Sequence, residues 1–144
     1  MQNPPPVQTS SQPPVQGAKS STGLDENLAA LLAYVFHWIS GLIFFLIEKN
    51  SRLVRFHAMQ ALILGATFFV GGMVLMFAWG IISVIASQIS GLLGSLVSLL
   101  LGLVIFVFFA AIFVGWILGM VKAYQGQYFK LPVIGNFAEK YSTK

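Results

Sequence analysis

The pattern of hydrophobic and polar positions divides the chain into a long uncharged stretch flanked by polar segments. Residues 56–121 are 66 consecutive positions without Asp, Glu, Lys or Arg. A helix needs ~20 apolar residues to cross the ~30 Å of hydrocarbon in a bilayer. The stretch therefore predicts two membrane crossings joined by a turn. A further run of 20 residues without a formal charge, 28–47, predicts another crossing before them.

These runs predict an all-α fold, an integral membrane helical bundle with three transmembrane helices. Asp25 and Glu26 fall in the first turn of the first helix, where the helix dipole favours acids. Asn50 or Ser51 is placed to cap the second helix. The expected helical domain covers 24–121, with spans at about 28–47, 57–86 and 96–121.

Three shorter segments complete the prediction. Residues 1–23 are rich in Pro, Gln and Ser, which is typical of a disordered tail. Residues 87–95 have a turn-like composition with weak helical spacing, so they form either a turn or an interfacial helix. Residues 122–144 mix aromatic and basic side chains, which predicts a cytoplasmic juxtamembrane tail at the headgroup layer, ending in a short helix.

The composition agrees with a membrane protein. Hydrophobic residues make up 57% of the 144 positions and charged residues only 8%, whereas soluble domains average about 25% charged. The chain has no cysteine, which excludes disulfides, thiolate nucleophiles and cysteine metal sites. The net charge of +4 is explained by orientation signals, so we expect no nucleic-acid partner.

The basic residues predict an orientation. With three spans, the N-terminal tail and the 87–95 turn share one side, and the 48–55 loop and the C-terminal tail share the other. Of the 8 Lys and Arg residues, only Lys19 falls on the first side. The positive-inside rule then predicts a multi-pass protein of the cell membrane with its N-terminus outside and its C-terminus in the cytoplasm.

His37 is the sharpest polar feature of the predicted spans. An ionisable residue in a transmembrane helix is by default a functional hypothesis. Ala33, His37 and Gly41 are spaced by four and share one helix face, and small neighbours mark a contact between helices. His37 is therefore either a proton or ligand site inside the bundle, or a neutral histidine hydrogen-bonded to a neighbouring helix.

A second group of polar residues, Arg52, Arg55, His57 and Gln60, lies at the predicted cytoplasmic mouth of the second span. Basic residues at this depth recognise anionic lipid headgroups or a polar partner. The alternative is a topology anchor whose arginines meet bulk phosphates. Glu48 and Arg52 are also placed to pair with each other.

Small residues spaced by four, Ala111, Gly115 and Gly119, form a stripe on the third predicted span. Such a stripe lets helix backbones approach closely, either within the chain or in a homodimer. Trp116 lies near the end of this span, as a membrane-belt residue would, whereas Trp38 lies mid-span and is expected to be packed.

Catalytic and metal-binding patterns are missing from the sequence. No Ser-His-acid set, paired intramembrane carboxylates or Gly-rich phosphate loop occurs. His37 and His57 are predicted at different depths, and no third ligand accompanies them. We therefore expect no enzyme, no cofactor and no metal.

Three segments, Tyr34–Glu48, Arg52–Gln60 and Phe129–Glu139, resemble a family of small prokaryotic membrane proteins of unknown function. That family is described as similar to the twenty-kilodalton channel component of the chloroplast inner-envelope protein translocon, and it includes magnetosome membrane proteins that influence crystal growth. The resemblance covers about residues 24–141, and the Arg55–Gln60 segment is its most specific part. It implies a compact helical membrane domain with a cytoplasmic first loop.

Two functions follow from these observations. The first is a non-enzymatic scaffold or assembly factor acting through helix contacts and anionic lipids, alone, as a homo-oligomer or with a membrane protein partner. The second is an oligomeric pore or protein-translocation subunit. A pore requires a polar stripe along several spans, and the polar residues available here lie mostly near the span ends, which favours the scaffold.

Overall fold

The computed structural model describes residues 18–142, and their regular elements are helical. The all-α prediction is therefore confirmed. Apart from helices, the described residues contain a single isolated bridge between Lys19 and Asp25. The helices are α1 (Glu26–Val35), α2 (Trp38–Ile47), α3 (Arg52–Ala66), α4 (Gly72–Ile89), α5 (Gly91–Tyr124) and α6 (Ile134–Ser142), with a π-helical turn at Thr67–Gly71 between α3 and α4.

Two long apolar helices run through the fold. α3, the π turn and α4 run without interruption for 38 residues, about 57 Å. α5 has 34 residues, about 51 Å. Both are long and apolar enough to cross a membrane, and they contain the predicted spans 57–86 and 96–121.

The connection between α4 and α5 is a single extended residue, Ser90. Its hydroxyl accepts a hydrogen bond from the Leu93 N–H at 3.1 Å and so caps α5. Gly94 allows the two helices to touch, because a Cβ there would lie 2.8 Å from the Ser87 backbone. The 87–95 segment is thus a tight turn, and its second half is the first turn of α5.

The first predicted span is wrong as a single helix. Residues 28–47 form α1 and α2, of 10 residues each, with a break at Phe36 and His37. His37 has φ 52° and ψ −123°, a region that non-glycine residues rarely adopt. At the break, the Ser40 hydroxyl accepts from the Phe36 N–H at 3.0 Å and donates to the Ala33 carbonyl at 2.8 Å. Each helix is about 15 Å long, half the thickness of a hydrocarbon core.

The outer ends of α1 and α2 meet. Ser21, before α1, donates its N–H and its hydroxyl to the carboxylate of Glu48, directly after α2, at 3.0 and 2.8 Å. The Ser51 hydroxyl donates to Glu26 at 2.8 Å. α1 and α2 are therefore a helical hairpin whose two ends lie at the same end of the bundle, and the prediction that they lie on opposite sides is wrong. The same contacts show that residues 18–23 are ordered, whereas the rest of the predicted tail, 1–17, lies outside the described residues.

The hairpin packs tightly on the long helices through glycines. A Cβ on Gly41 would lie 2.8 Å from the Ala58 carbonyl oxygen, so α2 and α3 are nearly in backbone contact. Trp38 packs against Gly65 of α3, and the ring of Tyr34 packs against Gly119 of α5. The buried core beside the hairpin consists of Ala29, Ala30, Tyr34, Leu53, Val54, Ala61 and Ala123.

After α5 the chain turns at Gly126 and runs back along α3 before α6 begins. Along this run, His57 is hydrogen-bonded to the Gln127 carbonyl and Gln60 to the Phe129 carbonyl. Leu131 then packs against Leu64 and Ile112. The predicted tail at 122–144 is thus part of the packed bundle as far as Ser142.

We call the end of the bundle that holds Ser21, the 48–51 loop and the start of the 125–142 segment the basic end. Within residues 18–142, every Lys and Arg belongs to the segments that meet here, and the Ser90 turn at the opposite end carries none. These residues are Lys19, Lys49, Arg52, Arg55, Lys122, Lys130 and Lys140.

Candidate functional site

His37 lies at the tip of the α1–α2 hairpin, half-buried among aromatic rings. Its ring centroid is 4.8 Å from that of Trp116 and 5.9 Å from that of Phe68, which lies in the π turn. Within residues 18–142 its imidazole nitrogens make no hydrogen bond. The hydrogen bond to a neighbouring helix that one interpretation predicts is therefore not found among the described residues. His37 packs at a strained turn, and a proton or ligand site there stays a prediction.

His57 and Gln60 form a buried polar network with Tyr34. The His57 Nε2 lies 2.9 Å from the Gln127 carbonyl oxygen, and its Nδ1 lies 3.2 Å from the Tyr34 hydroxyl. Because a carbonyl oxygen only accepts, Nε2 carries the proton, and the neutral ring accepts from Tyr34 at Nδ1. The Gln60 amide donates to the Tyr34 hydroxyl at 3.4 Å and to the Phe129 carbonyl at 3.1 Å.

The hydrogen bonds of this network hold the returning C-terminal segment against α3. Extended backbone inside a bundle has carbonyls that need donors, and two side chains of one helix supply them here. His57 and Gln60 are both 0% exposed. The prediction that they contact lipid or a partner is therefore wrong, because they face the interior of their own chain.

Glu48 is a second buried polar centre, at the basic end. Its side chain is 1% exposed, and its Oε1 also accepts from the Asn50 and Ser51 N–H groups, each at 2.9 Å. Burial raises the pKa of this carboxyl, but the hydrogen bonds from Ser51, Ser21 and Asn50 lower it by more, so the pKa lies below its ordinary value. No pairing with Arg52 occurs among the described residues.

A cavity of about 250 Å³ opens at the basic end between α3 and the C-terminal segment. Arg52 is exposed and makes no hydrogen bond or ion pair within residues 18–142. Lys130, by contrast, is paired with Glu139 at 2.7 Å. The lining residues are Arg52, Phe56, Tyr128, Lys130, Glu139 and Ser142.

Tyr128 forms one wall of this cavity. Its ring packs on Phe56, with centroids 5.5 Å apart. Burial raises the pKa of its hydroxyl, and the positive charge of Arg52 lowers it by less. The hydroxyl therefore stays protonated at neutral pH and is available as a hydrogen-bond donor. A guanidinium beside a neutral hydroxyl is a combination of groups suited to an anionic oxygen group such as a phosphate.

Arg55 points away from this cavity, although its spacing predicted a face shared with Arg52. Its guanidinium lies over the ring of Phe45 in α2, 5.4 Å from the centroid. Its Nε is buried without a hydrogen-bond partner in the described part of the chain. The four predicted contact residues are thus divided between the cavity, the α2 surface and the interior.

The predicted packing residues fall mostly on intramolecular contacts. Ala33 is fully buried, and Gly41 and Gly119 contact α3 and Tyr34 as described above. Gly115 faces Leu131, which would lie 3.5 Å from a Cβ at that position. Ala111 is exposed and lies outside this contact face.

Sequence reasoning missed the importance of Glu48, Ser21 and Tyr34. A signal existed for Glu48, which is the only acid between Glu26 and Glu139. It is adjacent to a helix start, where free N–H groups need an acceptor. For Ser21 and Tyr34 the sequence offers no comparable signal, since their partners are 27 and 23 residues away. No group of three or more metal-ligating side chains occurs among the described residues.

The chain is similar to several archaeal membrane proteins. A "UPF0132 membrane protein" of Methanocaldococcus jannaschii is 40% identical over 127 residues, covering 86% of this chain and 94% of the relative. A second one from that organism is 40% identical over 119 residues, covering 83% of this chain and 71% of the relative. A "UPF0132 membrane protein" of Archaeoglobus fulgidus is 36% identical, covering 81% and 95%.

The names of these relatives state no activity, and they identify the chain as a membrane protein of a family whose function is not established. They do not support the expected likeness to the chloroplast translocon component. No solved structure matches the chain significantly. Residues 24–138 match the profile described as the magnetosome magnetite crystal formation protein family, and the chain belongs to that family.

Proposed function

We propose that the protein is a non-enzymatic membrane scaffold whose basic end binds anionic lipid headgroups. The observation that carries this proposal is the cavity lined by Arg52 and Tyr128, where the exposed guanidinium makes no ion pair within residues 18–142 and its charge acts on the Tyr128 hydroxyl. Arg52 is the first residue of the long apolar helix, so we expect the cavity to lie at the depth of lipid phosphates. A guanidinium with a neighbouring hydroxyl suits a phosphate oxygen.

The distribution of charge supports a cytoplasmic orientation of the basic end in the cell membrane. The α1–α2 hairpin brings Lys19 to the same end as the other basic residues. The positive-inside rule then applies without exception to residues 18–142, and both the N-terminal and C-terminal segments belong in the cytoplasm. The inner leaflet of cell membranes carries anionic lipids, which the basic end would meet.

Two further observations support a scaffold over an enzyme or a pore. The family description names crystal formation and no reaction. In residues 18–142, the Tyr34 hydroxyl bonds to His57 and to Gln60, and these two side chains each bond to a backbone carbonyl. A water-lined path instead needs polar side chains facing a shared opening. An oligomeric pore or translocation subunit remains the second hypothesis and requires other copies or partners.

The test compares lipid binding by Arg52→Gln and Lys49→Gln. Both variants lose one positive charge at the basic end, but Lys49 is exposed and lies outside the cavity. Each protein is purified in neutral detergent and titrated with phosphatidylglycerol, with phosphatidylcholine or with inorganic phosphate, and bound lipid is counted by native mass spectrometry. We expect Arg52→Gln to weaken phosphatidylglycerol binding on the order of tenfold, because a charge-assisted hydrogen bond contributes ~1.5–3 kcal/mol. Lys49→Gln should have a small effect.

The three titrants distinguish the sources of the phosphate. Binding of phosphatidylglycerol without inorganic phosphate identifies a lipid site, and binding of both identifies a general anion site. Equal losses in the two variants would mean that only overall charge matters and would overturn the cavity as the site.

A further inference from the structure

The α1–α2 hairpin reaches only to the middle of the long helices. At its tip, Trp38 lies on Gly65, and its ring is 6.2 Å from that of Phe69. The uncharged part of the long helix, 56–89, rises about 51 Å, and Phe69 lies about 20 Å along it from the basic end. The hairpin therefore lies within the half of the long helices on the side of the basic end.

The outward surface of the hairpin is suited to acyl chains. Phe36 at the tip and Leu46 near the outer end of α2 are 71% and 65% exposed. The exposed apolar side chains between them are Trp38, Ile39, Leu42 and Ile43. A row of large apolar side chains along the full length of α2 indicates that this helix faces lipid.

The C-terminal segment adds a second element to the same half. The run from Gln127 to Leu131 descends along α3 from His57 to Leu64, and α6 returns toward Arg52. Beyond the tip of the hairpin, the long helices continue as α4 and α5 alone, in contact through Gly71 and Gly72 with Phe108 and Phe109. In residues 18–142, the half at the basic end thus contains α1, α2, α3, α6 and part of α5, whereas the opposite half contains two helices.

From this unequal cross-section we infer that the protein is a wedge that prefers curved lipid surfaces, with the basic end in the expanded, convex leaflet. Because of the extra helices, the protein takes up more area in one leaflet than in the other. A bilayer that already curves toward the basic end supplies that area, so the chain binds it better than a flat bilayer. The recognised partner is a lipid surface of given curvature, whatever its headgroup charge.

The experiment uses the absence of cysteine in the chain. Single cysteines are introduced as Asn50→Cys at the basic end and Gln88→Cys at the opposite end, both exposed positions. Each variant is reconstituted into small sonicated and large extruded vesicles of phosphatidylcholine only, and the outward fraction is measured with a membrane-impermeant maleimide. Neutral lipid separates this test from the proposed anionic-lipid binding, which can fail independently.

In large vesicles we expect both orientations in similar amounts. The outer leaflet of a small vesicle is expanded. In these vesicles we expect about three molecules of Asn50→Cys with the cysteine outside for each molecule with it inside. This ratio corresponds to a free-energy difference of about 0.65 kcal/mol between the two orientations. Gln88→Cys should change in the opposite direction. A ratio that does not depend on vesicle size, or that favours Gln88→Cys outside, would overturn the wedge.

A third variant tests the hairpin itself. Thr22→Cys lies before α1 and is exposed. If α1 and α2 form a re-entrant hairpin, its labelling must follow Asn50→Cys in both kinds of vesicle. Labelling that follows Gln88→Cys would mean that residues 26–47 cross the membrane, and the inference would be wrong.

Discussion

Ser21 and Glu48 are 27 residues apart in sequence, yet the Ser21 hydroxyl donates to the Glu48 carboxylate at 2.8 Å. The same serine oxygen accepts from the Lys49 N–H at 2.8 Å. This pair closes the α1–α2 hairpin at its open end, as Ser40 closes it at the tip. The hairpin of two ten-residue helices thus depends on a few polar contacts at either end.

Glu48→Ala should therefore destabilise the protein strongly. It leaves the N–H groups of Ser21, Asn50 and Ser51 without their acceptor. Of these residues, Ser51 is buried, and a buried unsatisfied donor costs ~1–3 kcal/mol. We expect a clear fall in the thermal unfolding temperature in detergent, measured by circular dichroism. Asp25→Ala is the matched control, because that carboxylate is exposed and makes no capping hydrogen bond. Equal effects of the two substitutions would refute the role of Glu48.

Acidification should weaken the same contact. The folded pKa of Glu48 lies below its ordinary value of 4.5. Its stabilising contribution is therefore fully present above about pH 4.5 and is lost as the pH falls through the lower folded pKa. We expect the unfolding temperature of the wild type to fall in this range more steeply than that of Glu48→Gln, which cannot titrate there. Parallel pH profiles would contradict this assignment.

The helices of this fold could be predicted from the sequence, but the path of the chain through the membrane could not. A run of 20 apolar residues has the same composition whether it spans a bilayer or folds back within it. The break at His37 carries no Gly or Pro, and Ser40 satisfies the freed backbone groups instead. Local sequence signals therefore pointed to one continuous helix.

The two tryptophans illustrate the same limit. Trp116 was expected at the membrane belt, but its Nε1 donates to the Tyr34 carbonyl at 2.8 Å inside the bundle. Trp38 packs on Gly65 and Phe69, as the sequence predicts, but at the hairpin tip, where its side chain is still 39% exposed. Both positions follow from the hairpin, which brings Tyr34 to α5 and places Trp38 at the turn. An error in one element thus changed the environment of several predicted residues.

The backbone strain at His37 leads to an unusual prediction, that His37→Gly is more stable than His37→Ala. Both substitutions lose the ring contacts with Trp116 and Phe68. Only glycine adopts φ 52°, ψ −123° without a steric penalty, which for other residues is ~1–3 kcal/mol. Thermal unfolding of the two variants in detergent gives the comparison. If alanine is the more stable, the hairpin turn does not have this conformation.

Gly119→Ala should disrupt the contact between α1 and α5. The new Cβ would lie 2.7 Å from the Tyr34 ring, and overpacking of this kind typically costs ~1–3 kcal/mol. Gly102→Ala on the same helix is the control, because nothing lies within 4 Å of a Cβ there. Gly102→Ala should be neutral or slightly stabilising, since alanine favours helices. The contact is disproved if both substitutions have the same effect on the unfolding temperature.

His57→Phe should release the C-terminal segment from α3. Phenylalanine fills a similar volume but cannot donate to the Gln127 carbonyl, so a buried acceptor loses its partner at a cost of ~1–3 kcal/mol. Because Lys122 and Lys130 flank Gln127, limited trypsin digestion should cut the variant there faster than the wild type. His37→Phe is the matched control: its imidazole makes no hydrogen bond within residues 18–142, so its cleavage should stay at the wild-type rate. If both variants are cut at the wild-type rate, the His57 hydrogen bond does not hold the segment, and the contacts of Gln60, Phe56 and Leu131 hold it without that bond.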